Sequence, residues 1–140
     1  MRTAAISNKL ALAMRLMVLL LIVACGPSHE PVPPKPPNNE LILGEFERKP
    51  PEGTTAIRFR ADGSVTLAHD RSKLDGETLA TGTFQLDKDQ LTLTYDKGMC
   101  AGGGPGVYQV VVSKLGIHFK KVSDGCDQRA KIDGQVWRRI

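Results

Sequence analysis

The chain from about Glu40 to its C-terminus consists of short runs in which apolar and polar residues alternate. This two-residue period is typical of β-strands with one buried face. Glycine and aspartate separate the runs, as at Asp62-Gly63, and such pairs favour tight hairpin turns. We therefore predict strands in residues 41–46, 55–60, 65–67, 82–86, 91–95, 107–113 and 115–119, and a last hairpin that joins Ile132 to Val136–Arg138 around Asp133-Gly134.

Helical periodicity is weak throughout this part of the chain. Only residues 70–77 leave room for a helical turn or a long loop. Seven or eight short antiparallel strands within residues 40–140 predict an all-β fold, an up-and-down meander that curls into a small barrel or a sandwich. A closed barrel also removes the exposed edge strands of an open sheet.

The first 24 residues have the organisation of a cleaved signal peptide. Arg2, Lys9 and Arg15 form a cationic leader without acidic residues, and Leu16–Ala24 is an uninterrupted apolar run of nine residues. A spanning helix needs about 20 apolar residues, so this run is too short to cross a bilayer. It matches the hydrophobic region of an export signal in length and flanks. We predict a signal peptide over residues 1–24, with a short buried helix as the alternative.

The apolar run ends in Ile22-Val23-Ala24-Cys25, which resembles the lipobox of bacterial lipoproteins. The resemblance implies cleavage before Cys25, a diacylglycerol thioether on its sulfur and acylation of the new amine. Several acyl chains hold a protein firmly at a membrane, whereas one chain binds only marginally. Gly26 follows in place of the Asp that favours inner-membrane retention, so the expected location is the cell envelope, at the outer membrane facing the periplasm if the source is Gram-negative. An ordinary secretory cleavage site is the alternative.

Residues 25–39 form a predicted tether between the lipidated cysteine and the folded domain. Six of the nine prolines lie between Pro27 and Pro37, and such a segment favours extended polyproline II. A spacer is the simplest interpretation, although Pro33 to Pro36 also gives the P-x-x-P pattern of a docking peptide.

The net charge of +4 and the pI of about 9.1 first suggest a polyanionic partner. Loss of the signal peptide removes Arg2, Lys9 and Arg15 and leaves a charge of +1. The remaining basic residues alternate along strands with few aromatics between them, which favours a solvated outer face over a nucleic-acid platform. We expect no nucleic-acid partner.

Cys100 and Cys126 are the two cysteines of the predicted barrel domain. Export into an oxidising compartment makes a disulfide between them the default expectation. A metal site is disfavoured because they are far apart in sequence and neither has a histidine beside it. A catalytic thiol is the remaining alternative.

Residues with catalytic or metal-binding chemistry are sparse. His69 and His118 lie in different hairpins without acidic or cysteine neighbours at metal spacing. The run 102–106 is glycine-rich but lacks the Lys-Ser/Thr of a phosphate loop. Asp124 and Asp127 are expected to shape the loop around Cys126, and Arg129 is a candidate for an ion pair that braces the barrel mouth. We predict no enzyme activity, no catalytic residue, no cofactor and no metal.

Residues 82–138 resemble a pattern found in bacterial extracytoplasmic lipocalin-like domains. That pattern has a G-T-[YF] strand, an L-x-[LF] strand, one cysteine, a G-x-Y strand, a D-x-C-x-x-R segment and a tryptophan on the last strand. Such domains often open with G-x-W, where this chain has Gly44-Glu45-Phe46. The matching residues here are Gly82-Thr83-Phe84, Leu91-Thr92-Leu93, Cys100, Gly106-Val107-Tyr108, Asp124 to Arg129 and Trp137.

The resemblance implies a lipocalin-like barrel whose inward side chains line a site for a small apolar ligand. The alternative is a barrel whose core those same side chains fill, in a structural or inhibitory envelope lipoprotein that acts through protein–protein contacts. The candidate ligand-binding residues are Phe59, Phe84, Tyr95, Tyr108, Phe119 and Trp137.

Overall fold

A computed structural model describes residues 26–49 and 53–140 of the chain. Residues 26–34 are exposed and contain neither helix nor strand. The segment Lys35–Ile140 is a separate compact unit that contains all eight strands. These strands are β1 (Gly44–Arg48), β2 (Thr55–Phe59), β3 (Ser64–Ala68), β4 (Thr78–Asp87), β5 (Gln90–Gly98), β6 (Gly106–Val112), β7 (Gly116–Ser123) and β8 (Val136–Arg139).

The eight strands form a closed antiparallel barrel in sequence order. Each strand pairs with the next, and β8 returns to β1 through Phe46 opposite Arg139 and Glu47 opposite Arg138. The predicted all-β, up-and-down barrel is therefore confirmed. Two short helices, α1 (Asn38–Leu41) and α2 (Asp127–Ala130), and a 3-10 turn at Arg71–Lys73 complete the fold. In the described residues no helix is long and apolar enough to span a membrane.

The chain begins its barrel three residues later than the alternation of residues 41–46 predicts. Residues 38–41 form α1 instead, and the buried side chains of Leu41 and Ile42 join the core at this end of the barrel. Arg139 fixes the junction, because its Nη1 donates to the carbonyl of Leu43 at 2.9 Å and its Nη2 donates to the carbonyl of Leu41. We call this end of the barrel the α1 end.

The last predicted hairpin was wrong for Ile132. Residues 127–130 form α2 and the following turn continues to Gly134, so β8 pairs directly with β7 from Val136 onward. The Asp133 carboxylate accepts a hydrogen bond from the backbone N–H of Lys121 at 2.7 Å, which holds this turn against β7. Residues 70–77, predicted as a helical turn or a long loop, contain a 3-10 turn at Arg71–Lys73, which Asp70 caps by accepting a hydrogen bond from the N–H of Ser72.

Aromatic side chains fill much of the barrel interior. Phe46, Phe59 and Phe84 meet edge to face, with ring centroids 6.1 and 5.0 Å apart. A second series joins Tyr108, Phe119 and Trp137 at 6.4 and 5.9 Å. Such edge-to-face pairs add to the free energy gained from burial alone. Aliphatic residues from five strands complete the same core: Ile57, Val65, Leu67, Leu91, Leu93, Val110, Val112 and Ile117.

Candidate functional site

The end of the barrel opposite α1 is the candidate site, and we call it the mouth. It is formed by the end of β1 at Arg48, the start of β4, the loop after β5 and the segment 124–135 that contains α2. The loops at the mouth are longer than the hairpins at the α1 end, where β2 and β3 join through Asp62-Gly63. Long loops on a rigid scaffold are the usual location of binding residues.

All six aromatic residues predicted to line a ligand site lie on barrel strands and belong to, or pack against, the core. Phe59, Tyr95, Tyr108, Phe119 and Trp137 are buried, and Phe84 is partly buried. The structure places them in one core, where Phe59 contacts Phe84 and Phe119 contacts both Tyr108 and Trp137 edge to face. Tyr95 belongs to the same core but to neither of these series.

A slot of about 150 Å³ opens at the mouth above Trp137. Its walls are mainly apolar, because side chains from β3, β4, the loop after β5 and the turn after α2 meet there. Trp137 belongs to β8 and is only 1% exposed, so it forms part of the floor of the slot. The lining residues are Arg48, Thr55, Leu67, Leu79, Met99, Gln128, Lys131, Ile132, Gln135 and Trp137.

The polar groups around the slot are cationic or neutral. Arg48 places its guanidinium carbon 6.0 Å from the ring centroid of Trp137 and donates to the hydroxyl of Thr55 at 3.4 Å. Lys131 stands on another wall, and no acidic side chain among the described residues lines the slot. The indole Nε1 of Trp137 donates to the side-chain oxygen of Gln135 at 3.0 Å, so its polar atom is satisfied. The slot can accept an apolar body with a neutral or anionic head.

A second feature of the mouth is a set of interacting residues that we call the rim cluster: Cys100, Gly106, Tyr108, Asp124, Cys126 and Arg129. Cys100 and Cys126 form a disulfide with their Cα atoms 6.0 Å apart. This supports the predicted pairing, and the bond ties the loop after β5 to the start of α2. The backbone N–H of Cys126 also donates to Asp124 Oδ1 at 2.9 Å, as expected if Asp124 shapes this loop.

Asp124 and Arg129 form an ion pair whose side chains are both completely excluded from solvent. Arg129 donates from Nε to one carboxylate oxygen at 2.7 Å and from Nη2 to the other at 2.8 Å. Nη2 also donates to the carbonyl of Gly104, and the Tyr108 hydroxyl donates to Asp124. The guanidinium carbon lies 5.4 Å from the ring centroid of Tyr95. The candidate ion pair that braces the mouth is present, with Asp124 as the partner.

The electrostatics of the rim cluster favour its charged form. Desolvation alone raises the pKa of Asp124, but hydrogen bonds from Arg129, Tyr108 and the Cys126 N–H outweigh it, so the net pKa is lowered. The Asp124 hydrogen bond raises the pKa of Arg129. Burial raises the pKa of Tyr95, and burial with the hydrogen bond to Asp124 raises that of Tyr108.

Gly106 explains why the G-x-Y and D-x-C-x-x-R segments occur together. A Cβ atom at Gly106 would lie 2.3 Å from Asp124 Oδ2 and 2.6 Å from Arg129 Nε. The ion pair therefore lies directly over Gly106, which precedes Tyr108 by two residues on β6. The residues of the sequence pattern meet here as one brace, in which the side chains of Asp124 and Arg129 are completely excluded from solvent.

Arg48 and Met99 were not predicted as parts of the site. Arg48 follows the buried Phe46 by two residues on β1. Residues two apart on a strand point to the same face, so the sequence does indicate that Arg48 faces the interior of the barrel. Met99 lies in the loop after β5, where apolar and polar residues do not alternate, so the sequence pattern does not indicate its position. The same parity applies to Arg139, which follows Trp137 by two residues and stacks 4.6 Å from the Phe46 ring.

Several predictions fall outside what the structure can test. The signal peptide and Cys25 lie outside the described residues. Within the described part of the chain, no group of three or more His, Cys, Asp or Glu side chains is placed to hold a metal ion.

Comparison with protein-family models, with curated proteins and with solved structures found no match to this chain.

Proposed function

We propose that this chain is a lipid-anchored envelope protein whose lipocalin-like barrel binds a small, mainly apolar ligand in the slot at its mouth. The observation that carries the ligand part is the slot itself, an apolar recess above Trp137 with Arg48 and Lys131 at its walls. The lipobox-like segment ending at Cys25 supports the anchor. The aromatic residues below the slot then serve as its floor and support, and Trp137 is the one that contacts ligand.

The size of the slot sets the size of the ligand. A dry cavity of about 150 Å³ accommodates a benzene-sized molecule, whereas sites for drug-sized ligands measure roughly 300–1,000 Å³. A ligand of about six to ten heavy atoms therefore fits. Lys131 stands at the wall of the slot and no acidic side chain among the described residues lines it, which favours a carboxylate or phenol head on that body.

Fluorescence titration tests the ligand site, because Trp137 is the only tryptophan in the chain. Benzoate, hexanoate and benzyl alcohol are suitable probes of the required size, and we expect a saturable change that is strongest for the anions. Leu79→Phe should fill the slot and abolish the change. Leu115→Phe makes the same replacement at an exposed position and should leave binding intact. An unresponsive Trp137 with all three probes, together with no co-purified small molecule in native mass spectrometry, contradicts the proposal.

Fatty-acid labelling in cells tests the anchor separately. We expect the chain to incorporate labelled palmitate and to fractionate with membranes. Cys25→Ala should lose the label, whereas a Cys100→Ser, Cys126→Ser double variant should retain it. Label on the Cys25→Ala chain would show that the lipobox assignment is wrong.

A second candidate function is protein–protein contact through the mouth, in a structural or inhibitory lipoprotein with a filled core. The exposed glycine-rich loop 101–105, fixed at one side by the disulfide, favours it. A rigid loop loses less entropy on binding a partner than a free loop does. Capture of one stoichiometric envelope protein by the wild-type chain, lost on reduction of the disulfide, would favour this function over the ligand site.

A further inference from the structure

We propose that the outer face of β6, β7 and β8 is a contact surface for an anionic phospholipid bilayer. We call it the apolar–basic face and define it by Val111, Leu115 and Val136 together with Lys114, Lys120 and Arg138. This inference is independent of the slot, which lies at the mouth, and concerns residues that the proposed function leaves unused.

The apolar part of the face is a row across three strands. Val111 on β6 pairs with His118 on β7, and His118 pairs with Val136 on β8. The exposed fractions of Val111 and Val136 are both 65%, and that of Leu115 in the connecting turn is 83%. These residues line a shallow groove of about 310 Å³. Gly116 also lines the groove, and a Cβ atom at this position would lie 2.2 Å from the carbonyl oxygen of Trp137.

The charge on this face is mainly positive, with Glu47 on the adjoining strand β1 opposite Arg138. Residues 106–123 and 136–139, which make up β6, β7, their turn and β8, contain no Asp or Glu. Lys114, Lys120 and Arg138 are exposed around the valine row. On another face of the barrel, cations pair with acids: Glu45 lies 2.7 Å from Arg58 and 2.8 Å from Arg71.

The combination of exposed aliphatic side chains with an excess of cations matches an anionic bilayer surface. Aliphatic groups bury in the boundary between headgroups and acyl chains, while each cation near the surface gains from the negative potential. A second copy of the chain is a poorer occupant, because a symmetric contact through this face would bring the same cations together.

The position of the face agrees with a bilayer as its partner. The turn that carries Leu115 lies at the α1 end, where the chain joins the barrel. Arg139 links the two, because it donates to the carbonyl of Leu43 at 2.9 Å and to those of Lys114 and Ser113 at 3.2 Å. The exposed turn and the segment leading from the tether are therefore neighbours. A tether of the proposed kind would keep the face at high effective concentration near the bilayer.

Vesicle binding by the unlipidated chain Gly26–Ile140, which contains the whole closed barrel, tests the inference without the anchor. The probes are phosphatidylcholine vesicles with and without phosphatidylglycerol, assayed by co-sedimentation at low and high salt. We expect binding only to the anionic vesicles, weakened by salt. A triple variant that combines Lys114→Gln, Lys120→Gln and Arg138→Gln should partition onto the anionic vesicles about 100-fold less, because each cation near such a surface contributes roughly fivefold.

The apolar contribution is tested with Val111→Ser, Leu115→Ser, Val136→Ser, for which we expect about a tenfold loss. One control is Val32→Ser, which replaces an even more exposed valine in the tether. The other combines Lys35→Gln, Lys88→Gln and Lys97→Gln and makes the same charge change elsewhere. Both controls should bind like the wild type, and thermal melts should show that every variant is folded. Equal losses in the control and test charge variants, no vesicle binding, or a dimer that the serine variant disrupts would each overturn the inference. Failure of palmitate labelling or of the slot titration would leave these results unchanged.

Discussion

Asp124 and Arg129 face each other across the rim cluster with two hydrogen bonds of 2.7 and 2.8 Å, and neither side chain reaches solvent. They are five positions apart in sequence, and α2 brings them together beside the Cys100–Cys126 disulfide. The desolvation cost of burying both charges is offset only because the carboxylate collects donors from Arg129, Tyr108 and the Cys126 N–H. The stability of the buried ion pair therefore depends on several neighbouring donors at once.

Removing one partner of this pair should be strongly destabilising. Arg129→Met leaves the Asp124 carboxylate buried without its main donor, and we expect a loss of about 3–5 kcal/mol in the free energy of unfolding. Urea denaturation followed by Trp137 fluorescence measures it. The double variant Asp124→Leu, Arg129→Met removes both charges and should lose less than Arg129→Met alone. Equal losses in the two variants would show that the pair is not coupled.

Acid should weaken the barrel through Asp124. Its pKa in the folded chain is lowered below the ordinary 3.8, so its contribution to stability is complete above that value and is lost as the pH falls through the folded pKa. Asp62, Asp70 and Asp75 also have lowered pKa values, so the informative quantity is the difference from Asp124→Asn. Urea midpoints of wild type and Asp124→Asn should converge as the pH falls below 3.8. Parallel curves down to complete unfolding would contradict the assignment.

Much of this fold can be predicted from the alternation of apolar and polar residues alone. The inward parity of residues such as Phe59 and Phe119 is visible in the sequence, because a strand with one buried face repeats every two residues. The departures occur where local chemistry overrides the period. Residues 38–41 become helical after Pro37, and Ile132 follows α2 in a turn instead of pairing in β8.

The candidate site could be predicted less completely than the fold. The disulfide and the ion pair follow from Cys126 and Arg129, which share one short segment with Asp124. The slot, however, is assembled from residues of unrelated segments, such as Leu67 and Met99, whose proximity depends on the barrel closing. No periodic pattern in the sequence relates such positions to one another. Their proximity therefore cannot be predicted without the tertiary structure.

The two tyrosines should resist ionisation until the barrel unfolds. The chain contains only Tyr95 and Tyr108, and burial raises the pKa of both above the ordinary 10.0. Alkaline titration should therefore produce no tyrosinate absorbance near pH 10, and the absorbance should appear together with the loss of Trp137 fluorescence characteristic of the fold. Tyr108→Phe should halve the final amplitude. Tyrosinate that forms in the folded chain near pH 10 would contradict the burial of these rings.

Loss of the disulfide should destabilise the barrel by roughly 3–4 kcal/mol, because it releases a closed loop of about 26 residues in the unfolded chain. The double variant Cys100→Ser, Cys126→Ser and the reduced wild type should give the same urea midpoint. Alkylation under denaturing conditions without reductant should add no mass at these two positions. A wild-type chain whose midpoint is insensitive to reductant would show that the bond does not form or does not constrain the unfolded chain.

Substitution of Gly106 should disrupt the rim cluster, because the Asp124–Arg129 ion pair packs directly against this residue. In Gly106→Ala, the new methyl would lie 2.3 Å from Asp124 Oδ2 and 2.6 Å from Arg129 Nε, so the ion pair must shift. We expect a loss of about 3 kcal/mol from overpacking and weakened pairing. Gly125→Ala is the matched control, since it adjoins Asp124 in sequence but its Cβ would have no atom within 4 Å. The control should melt like the wild type, and Gly106→Ala should also lose the acid sensitivity assigned to Asp124. A Gly106→Ala barrel with wild-type stability would mean that the ion pair does not lie against this strand.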